Sequence, residues 1–187
     1  MFSRFWGKVR AFFFGGVLGT IFGIALGFFF FPYVFPPPPA AEQLTQADLA
    51  PPPGAGEPAQ DASAPAAIAV PLATGSFIHA NTSDPVHWGK GKVSVYRRAV
   101  FLEPDFEVGP GPAYHVYLVP KPSIRSSSDM KGVMYVDLGR LHSFKGSQRY
   151  QIPDGVNLKD YPSVIIWCER FGVLISPADL KVVPASN

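Results

Sequence analysis

Cys168 is the single cysteine of the chain, set in the run Tyr161-Pro-Ser-Val-Ile-Ile-Trp167-Cys168-Glu169-Arg170-Phe171-Gly172. A lone thiol cannot close an intramolecular disulfide, so it either packs, ligates or reacts. Arg170, two residues on, is a cation of the kind that favours the thiolate needed for ligand or nucleophile chemistry. The other candidate ligands are His79, His87, His115 and His142. Covalent c-type haem needs C-x-x-C-H, which one cysteine cannot supply. Blue copper needs a Cys, two His and usually a nearby Met, and no His or Met follows Cys168. Structural zinc wants two or more closely spaced cysteines. There is no G-x-S-x-G elbow and no Walker loop, and Gly109-Pro-Gly111 lacks the third glycine of a dinucleotide fingerprint. Hydrolase, nucleotide-binding and metal-centre readings therefore fall away. Non-covalent haem ligation, thiol redox and plain packing remain for Cys168.

Period-2 alternation in Ser163 to Cys168 places Val164, Ile166 and Cys168 on one strand face and Ile165 and Trp167 on the other. An extended apolar face is usually core, and free cysteine often behaves as a small hydrophobe. Against that, a solitary thiol in an oxidising compartment is a liability unless buried or used. If haem binds, Cys168 is one axial ligand, with His115 or His142 as the other and Trp167 flanking the cofactor plane. His115 lies in an aromatic strand that could line a pocket. His142 sits beside the Gly146–Tyr150 block, in which Gly146 serves a tight turn and Gln148 and Tyr150 an edge hydrogen-bond network.

The elements that must position these residues are strands. Val93–Tyr96, Ala113–Val119 and Val133–Leu138 alternate apolar and polar residues, and Ser163–Cys168 is nearly continuous apolar sequence. Gly and Pro punctuate the joins at Gly109–Pro112, Lys121–Pro122 and Pro153–Gly155. Turns at such short intervals predict an all-β domain, an antiparallel β-sandwich or barrel, over residues 73–187. Ser176-Pro177-Ala-Asp179 carries a helix-start pattern and predicts a short terminal turn.

The rest of the chain supplies an anchor and a tether. Residues 1–10 hold Arg4, Lys8 and Arg10 and no acid. Residues 11–35 carry no charge and exceed the ~20 apolar residues that cross a bilayer. This predicts an uncleaved signal-anchor, a single transmembrane helix with the N-terminus cytoplasmic and the C-terminal domain periplasmic or extracellular, at the cell (inner) membrane. Gly15, Gly19, Gly23 and Gly27 recur every fourth residue and could let two such helices pair as a homodimer. Residues 36–72 are Pro- and Ala-rich and read as a disordered linker, with Glu42, Asp48, Glu57 and Asp61 lacking basic partners. Sixteen Lys and Arg against fourteen Asp and Glu give a net charge of +2. The bases form no stripe, so no nucleic-acid partner is expected.

Gly139-Arg-Leu141-His-Ser-Phe-Lys145-Gly146-Ser147-Gln148-Arg-Tyr150-Gln-Ile152-Pro153, Leu158-Lys-Asp-Tyr161, Val164-Ile-Ile-Trp167-Cys168-Glu-Arg-Phe171 and Ala178-Asp-Leu180 together resemble the DM-thirteen domain. That domain is a proposed electron-transfer module of Skeletor-type animal proteins and bacterial exported proteins. The resemblance extends over 73–183. It departs at Ala113-Tyr114, where the family usually has an acid-leucine pair. It implies redox chemistry through Cys168, either as a free thiol or by holding a prosthetic group such as haem. The resulting expectation is a membrane-anchored redox accessory module, rather than a stand-alone enzyme, acting on a redox or envelope protein partner. The alternative is a non-catalytic binding or structural module of the cell envelope.

Overall fold

The computed structural model describes residues 2–49 and 70–184, with the side chains of residues 2–11, 29, 32 and 33 outside the description. The chain divides into two compact units, Met1–Pro37 and Pro38–Asn187. The first is helix α1, Phe2–Val34. At 1.5 Å per residue it is on the order of 50 Å long. Thr20 returns its hydroxyl to the Gly16 carbonyl at 2.9 Å. Among the described residues, whose side chains run without a break only from Phe12 to Phe28, no helix is long and apolar enough to cross a membrane.

The second unit is mostly β. In chain order it comprises β1 (Ala40–Ala41), the short α2 (Gln46–Leu49), β2 (Ala73–Phe77), β3 (Gly89–Val95), β4 (Ala99–Leu102), β5 (Glu107–Val108), β6 (Tyr114–Val119), β7 (Val136–Arg140), β8 (Gly146–Gln151), β9 (Ser163–Cys168) and β10 (Val173–Val182). The strand order is β1-β8-β4-β3-β2-β10-β9-β6-β7, with β5 pairing off β3. Every pairing is antiparallel except β1 on β8, which makes the sheet mixed. The architecture is one curled sheet, a half-barrel, where the sequence predicts a sandwich or barrel.

Alternation along the strands fills the two sides of this sheet differently. The inner side holds Val93, Val95, Leu102, Val116, Leu118, Val164, Ile166 and Cys168 in one buried cluster. The outer side carries a smaller cluster of Tyr117, Val119, Ile124, Met130, Ile165 and Leu174, with Trp167 packed against it. Each large aliphatic side chain so buried stabilises the fold by about 1.5–3 kcal/mol relative to exposure. The split of Val164, Ile166 and Cys168 from Ile165 and Trp167 follows the expected period of two.

Three expectations are corrected here. The segment 36–72 is not linker throughout. Ala40 and Ala41 pair with Gly146 and Ser147, and the Arg98 amide donates to the Asp48 carbonyl at 3.2 Å. Nor are its acids unpartnered: Glu42 meets His142 at 2.6 Å, and Asp48 meets Arg149 at 2.7 Å. Burial pushes the Asp48 carboxyl up, but hydrogen bonds from Thr45 and the Arg149 ion pair outweigh it and hold the group below the usual carboxylate range. Residues 50–69, with Glu57 and Asp61, lie outside the described residues.

Second, Ser176 to Asp179 is strand, not a helical turn. It lies inside β10 between β2 and β9. The ladder with two neighbours overrides the local capping pattern, and a register shift at Leu174/Ser176 precedes Pro177. Third, β1 covers β8 only at Gly146 and Ser147, and the hydrogen-bond network of Gln148 and Tyr150 just beyond that cover is buried rather than open at an edge. Gly146 makes that cover possible. Its φ of +88° suits glycine, and a Cβ there would run into the Ala40 backbone.

Candidate functional site

β6 and β9 form the centre of the site because their register brings the chemistry-bearing residues together in opposed pairs. Tyr114 faces Cys168, and His115 faces Trp167. Directly opposed residues of an antiparallel pair share a face. Cys168 and Tyr114 therefore point inward, while His115 and Trp167 point outward. Tyr117, two residues beyond His115, points outward with it.

On the inner side, Cys168 is a free thiol, 1% exposed. Its Sγ donates to the Pro112 carbonyl at 3.2 Å. That carbonyl belongs to the loop 109–113, where Ala113 takes a φ of +50°. A non-glycine residue in that region is strained by about 1–3 kcal/mol. The Ala113 carbonyl accepts from the Glu169 amide at 3.1 Å, and the turn after β9 closes with Gly172 N–H donating to the Cys168 carbonyl at 2.9 Å. Cys168 is thus the last residue of its strand, lying beneath two short loops. Gly111 fits the first loop against the Tyr114 phenol, which a Cβ would strike.

On the outer side, Tyr117 is buried but donates its hydroxyl to Glu169 Oε1 at 2.7 Å. Glu169 Oε2 lies 3.3 Å from His115 Nε2, and His115 Nδ1 contacts Asp137 Oδ2 at 3.0 Å. The Tyr117 ring stacks on Tyr135 with centroids 4.1 Å apart and planes 13° off parallel. Burial first, then the Glu169 hydrogen bond and Tyr135, push the Tyr117 phenol well above its usual range. His115, Asp137 and Glu169 offer ligand atoms all within 4.8 Å of one another. Asp137 meets Nδ1 of the imidazole and Glu169 meets Nε2, so the ring bridges the two carboxylates. The arrangement is a chain of contacts: Tyr117 donates a hydrogen bond to Glu169, Glu169 makes an ion-pair contact with His115, and His115 is hydrogen-bonded to Asp137.

His142 belongs to a separate locus. Its ring stacks on Tyr150 with centroids 4.8 Å apart, and its backbone N–H donates to both Gln148 Oε1 and Tyr150 Oη. Gln148 also accepts from the Ser143 amide and the Tyr150 hydroxyl. Burial, partly opposed by the His142 backbone hydrogen bond, keeps the Tyr150 phenol raised. His79 and His87 both contact Asp84, whose carboxyl falls to about 2 through the hydrogen bonds from His87 and Val86.

The four sequence candidates therefore do not converge. Cys168 and His115 lie on opposite sides of one sheet, Trp167 belongs to the outer cluster, and the His142 ring is held by Glu42 and Tyr150. These residues do not fit an axial pair around a haem. Tyr117, Asp137 and Glu169 were not candidates in the sequence. The one available signal was the acid placed directly after the cysteine, because Tyr117 and Glu169 lie 52 residues apart in the chain.

A family model described as Electron transfer DM13 matches residues 80–180. No curated protein matches the chain. No solved structure matches it.

Proposed function

Because the chain belongs to the Electron transfer DM13 family, we propose that it is an electron-transfer module in which Cys168 is a gated redox thiol. The observation that carries this reading is a buried, unpaired thiol held by the Pro112 carbonyl under a strained loop. A thiol so enclosed is shielded from bulk oxidants, which suits a free cysteine in an oxidising compartment. Opening of loop 109–113 brings it to solvent, where its thiolate attacks a disulfide of a protein partner. The partner's leaving sulfur departs as a thiolate. One thiol of a second, dithiol partner then attacks the Cys168 sulfur and releases the first partner fully reduced. The dithiol's other thiol displaces the Cys168 thiolate, so that two electrons pass from the dithiol to the disulfide. With one cysteine the chain cannot complete this exchange alone, so it is an accessory module rather than a stand-alone enzyme.

The anchor completes the reading. The uncharged run 11–35 behind Arg4, Lys8 and Arg10 holds the chain in the cell membrane with the β unit outside. The glycines at 15, 19, 23 and 27 allow two copies to pair through that helix. Alkaline extraction and protease protection test the tether, the β unit being digestible from outside the cytoplasm and the chain remaining with the membrane.

A trapping experiment in native membranes tests the thiol. Iodoacetamide-quenched, non-reducing separation should give a higher-mass species that disappears on reduction and is missing in Cys168→Ser. An adduct-free wild type during partner turnover would remove the exchange reading. One observation favours a binding module instead: an open cavity of about 830 Å³ whose lining includes the charged residues Lys92, Arg125, Lys181, Glu103, Asp105 and Asp179. That reading gains if Cys168→Ser retains all activity and Lys92→Glu loses it.

A further inference from the structure

Tyr117 has what a one-electron donor needs and Cys168 in its closed state lacks. A phenol is hard to oxidise unless its proton leaves with the electron, and Tyr117 has a carboxylate 2.7 Å away to receive it. Ionisation in advance is closed off, because burial and the surrounding groups hold the phenol protonated far above neutral pH. Glu169 is fixed from its other oxygen by His115, itself fixed by Asp137. His115 and Asp137 are therefore positioning residues.

The ring itself is 1% exposed, so no partner reaches it directly. Its stacked neighbour Tyr135 is 48% exposed, beside Met134 at 84%. Tyr135 thus gives the buried ring an electronic contact with the surface. Tyr150 provides a control within the same fold. It too is buried, but it donates to the amide oxygen of Gln148, which cannot hold a proton at neutral pH.

We infer that Tyr117 is a redox-active tyrosine that passes single electrons to an outer-sphere acceptor through Tyr135, with Glu169 as its proton acceptor. In the step, Tyr117 loses one electron to the acceptor while its O–H bond breaks and an O–H bond forms on Glu169. The products are a neutral phenoxyl radical, a neutral Glu169 and the acceptor reduced by one electron. The return electron takes the proton back. This inference rests on the electron-transfer reading of the family but not on Cys168.

The test oxidises the full chain in detergent with flash-generated tris(bipyridyl)ruthenium(III), a one-electron outer-sphere oxidant, and reads the radical by freeze-quench electron paramagnetic resonance. Wild type should give a persistent tyrosyl radical, since exposed tyrosyl radicals couple and decay. The persistent signal should vanish in Tyr117→Phe and survive in Tyr150→Phe and Cys168→Ser. Glu169→Gln, which keeps the shape but removes the base, should slow oxidation by about a hundredfold and abolish the solvent deuterium effect. An unchanged signal in Tyr117→Phe, or an unchanged rate in Glu169→Gln, overturns the proposal. A radical present while Cys168→Ser still transfers electrons to the partner removes the gated thiol alone. A radical absent while Cys168 is trapped on a partner removes the tyrosine alone.

Discussion

Cys168 and Glu169 are neighbours in the chain, yet they serve the two sides of one sheet under opposite proton chemistry. On the inner side the Cys168 thiol donates to a backbone carbonyl and the Tyr150 phenol to a side-chain amide. Neither acceptor can take the proton away. On the outer side the Tyr117 phenol donates to a carboxylate that an imidazole and a second carboxylate hold in place. Burial is therefore not what separates structural from redox-capable groups here, since Cys168, Tyr150 and Tyr117 are all nearly inaccessible. What separates them is the base. The inner thiol must wait for its loop to open, whereas the outer phenol can give up an electron in the closed protein.

The largest way to break this contrast is to remove an inner acceptor. Gln148→Leu leaves the Ser143 amide and the Tyr150 hydroxyl without their acceptor, and the His142 amide with Tyr150 Oη alone. At about 1–3 kcal/mol for each buried group left unpaired, denaturant titration should show a loss of roughly 3–5 kcal/mol. Next in size, Gly111→Ala forces loop 109–113 away from Tyr114. Overpacking of this kind costs about 1–3 kcal/mol. If that cost falls on the loop, thiol labelling of Cys168 should accelerate by about ten- to a hundredfold with the far-ultraviolet circular dichroism unchanged.

Tyr117→Phe deletes one hydrogen bond to a half-exposed carboxylate and should lower stability by about 1 kcal/mol in the same titration. A much larger loss would mark that hydroxyl as structural and weaken the contrast. The smallest effect lies at the Asp48–Arg149 pair. The Asp48 pKa is lowered on folding, so its contribution is present above the ordinary carboxylate range of about 4 and is lost as pH falls below it. Hydrogen exchange should show residues 38–49 loosening in acid before β6 and β9 do.

How much of this was legible follows from where the signals lie. The face split around Cys168 was readable because strand alternation is local, and Trp167 and Ile165 fell where a period of two puts them. The docking of Ala40–Ala41 was not, because its pairing is made by backbone groups, which composition does not reveal. Two acids in a Pro/Ala segment, Glu42 and Asp48, were the only trace of it. Ser176–Asp179 misled because a good helix cap costs little to ignore when strands on both sides offer a ladder. The Tyr117–Glu169 pair and the separation of Cys168 from His115 depend on register between distant strands, which a single sequence does not encode in any local pattern.

The measurement that tests the gated thiol most directly is the labelling rate of Cys168 in the intact native chain as the concentration of a bulky thiol reagent is raised. The account predicts a slow reaction without denaturant whose rate reaches a plateau, because opening of the loop becomes limiting. Labelling as fast as a free cysteine, or none at all until the whole sheet unfolds, would contradict it.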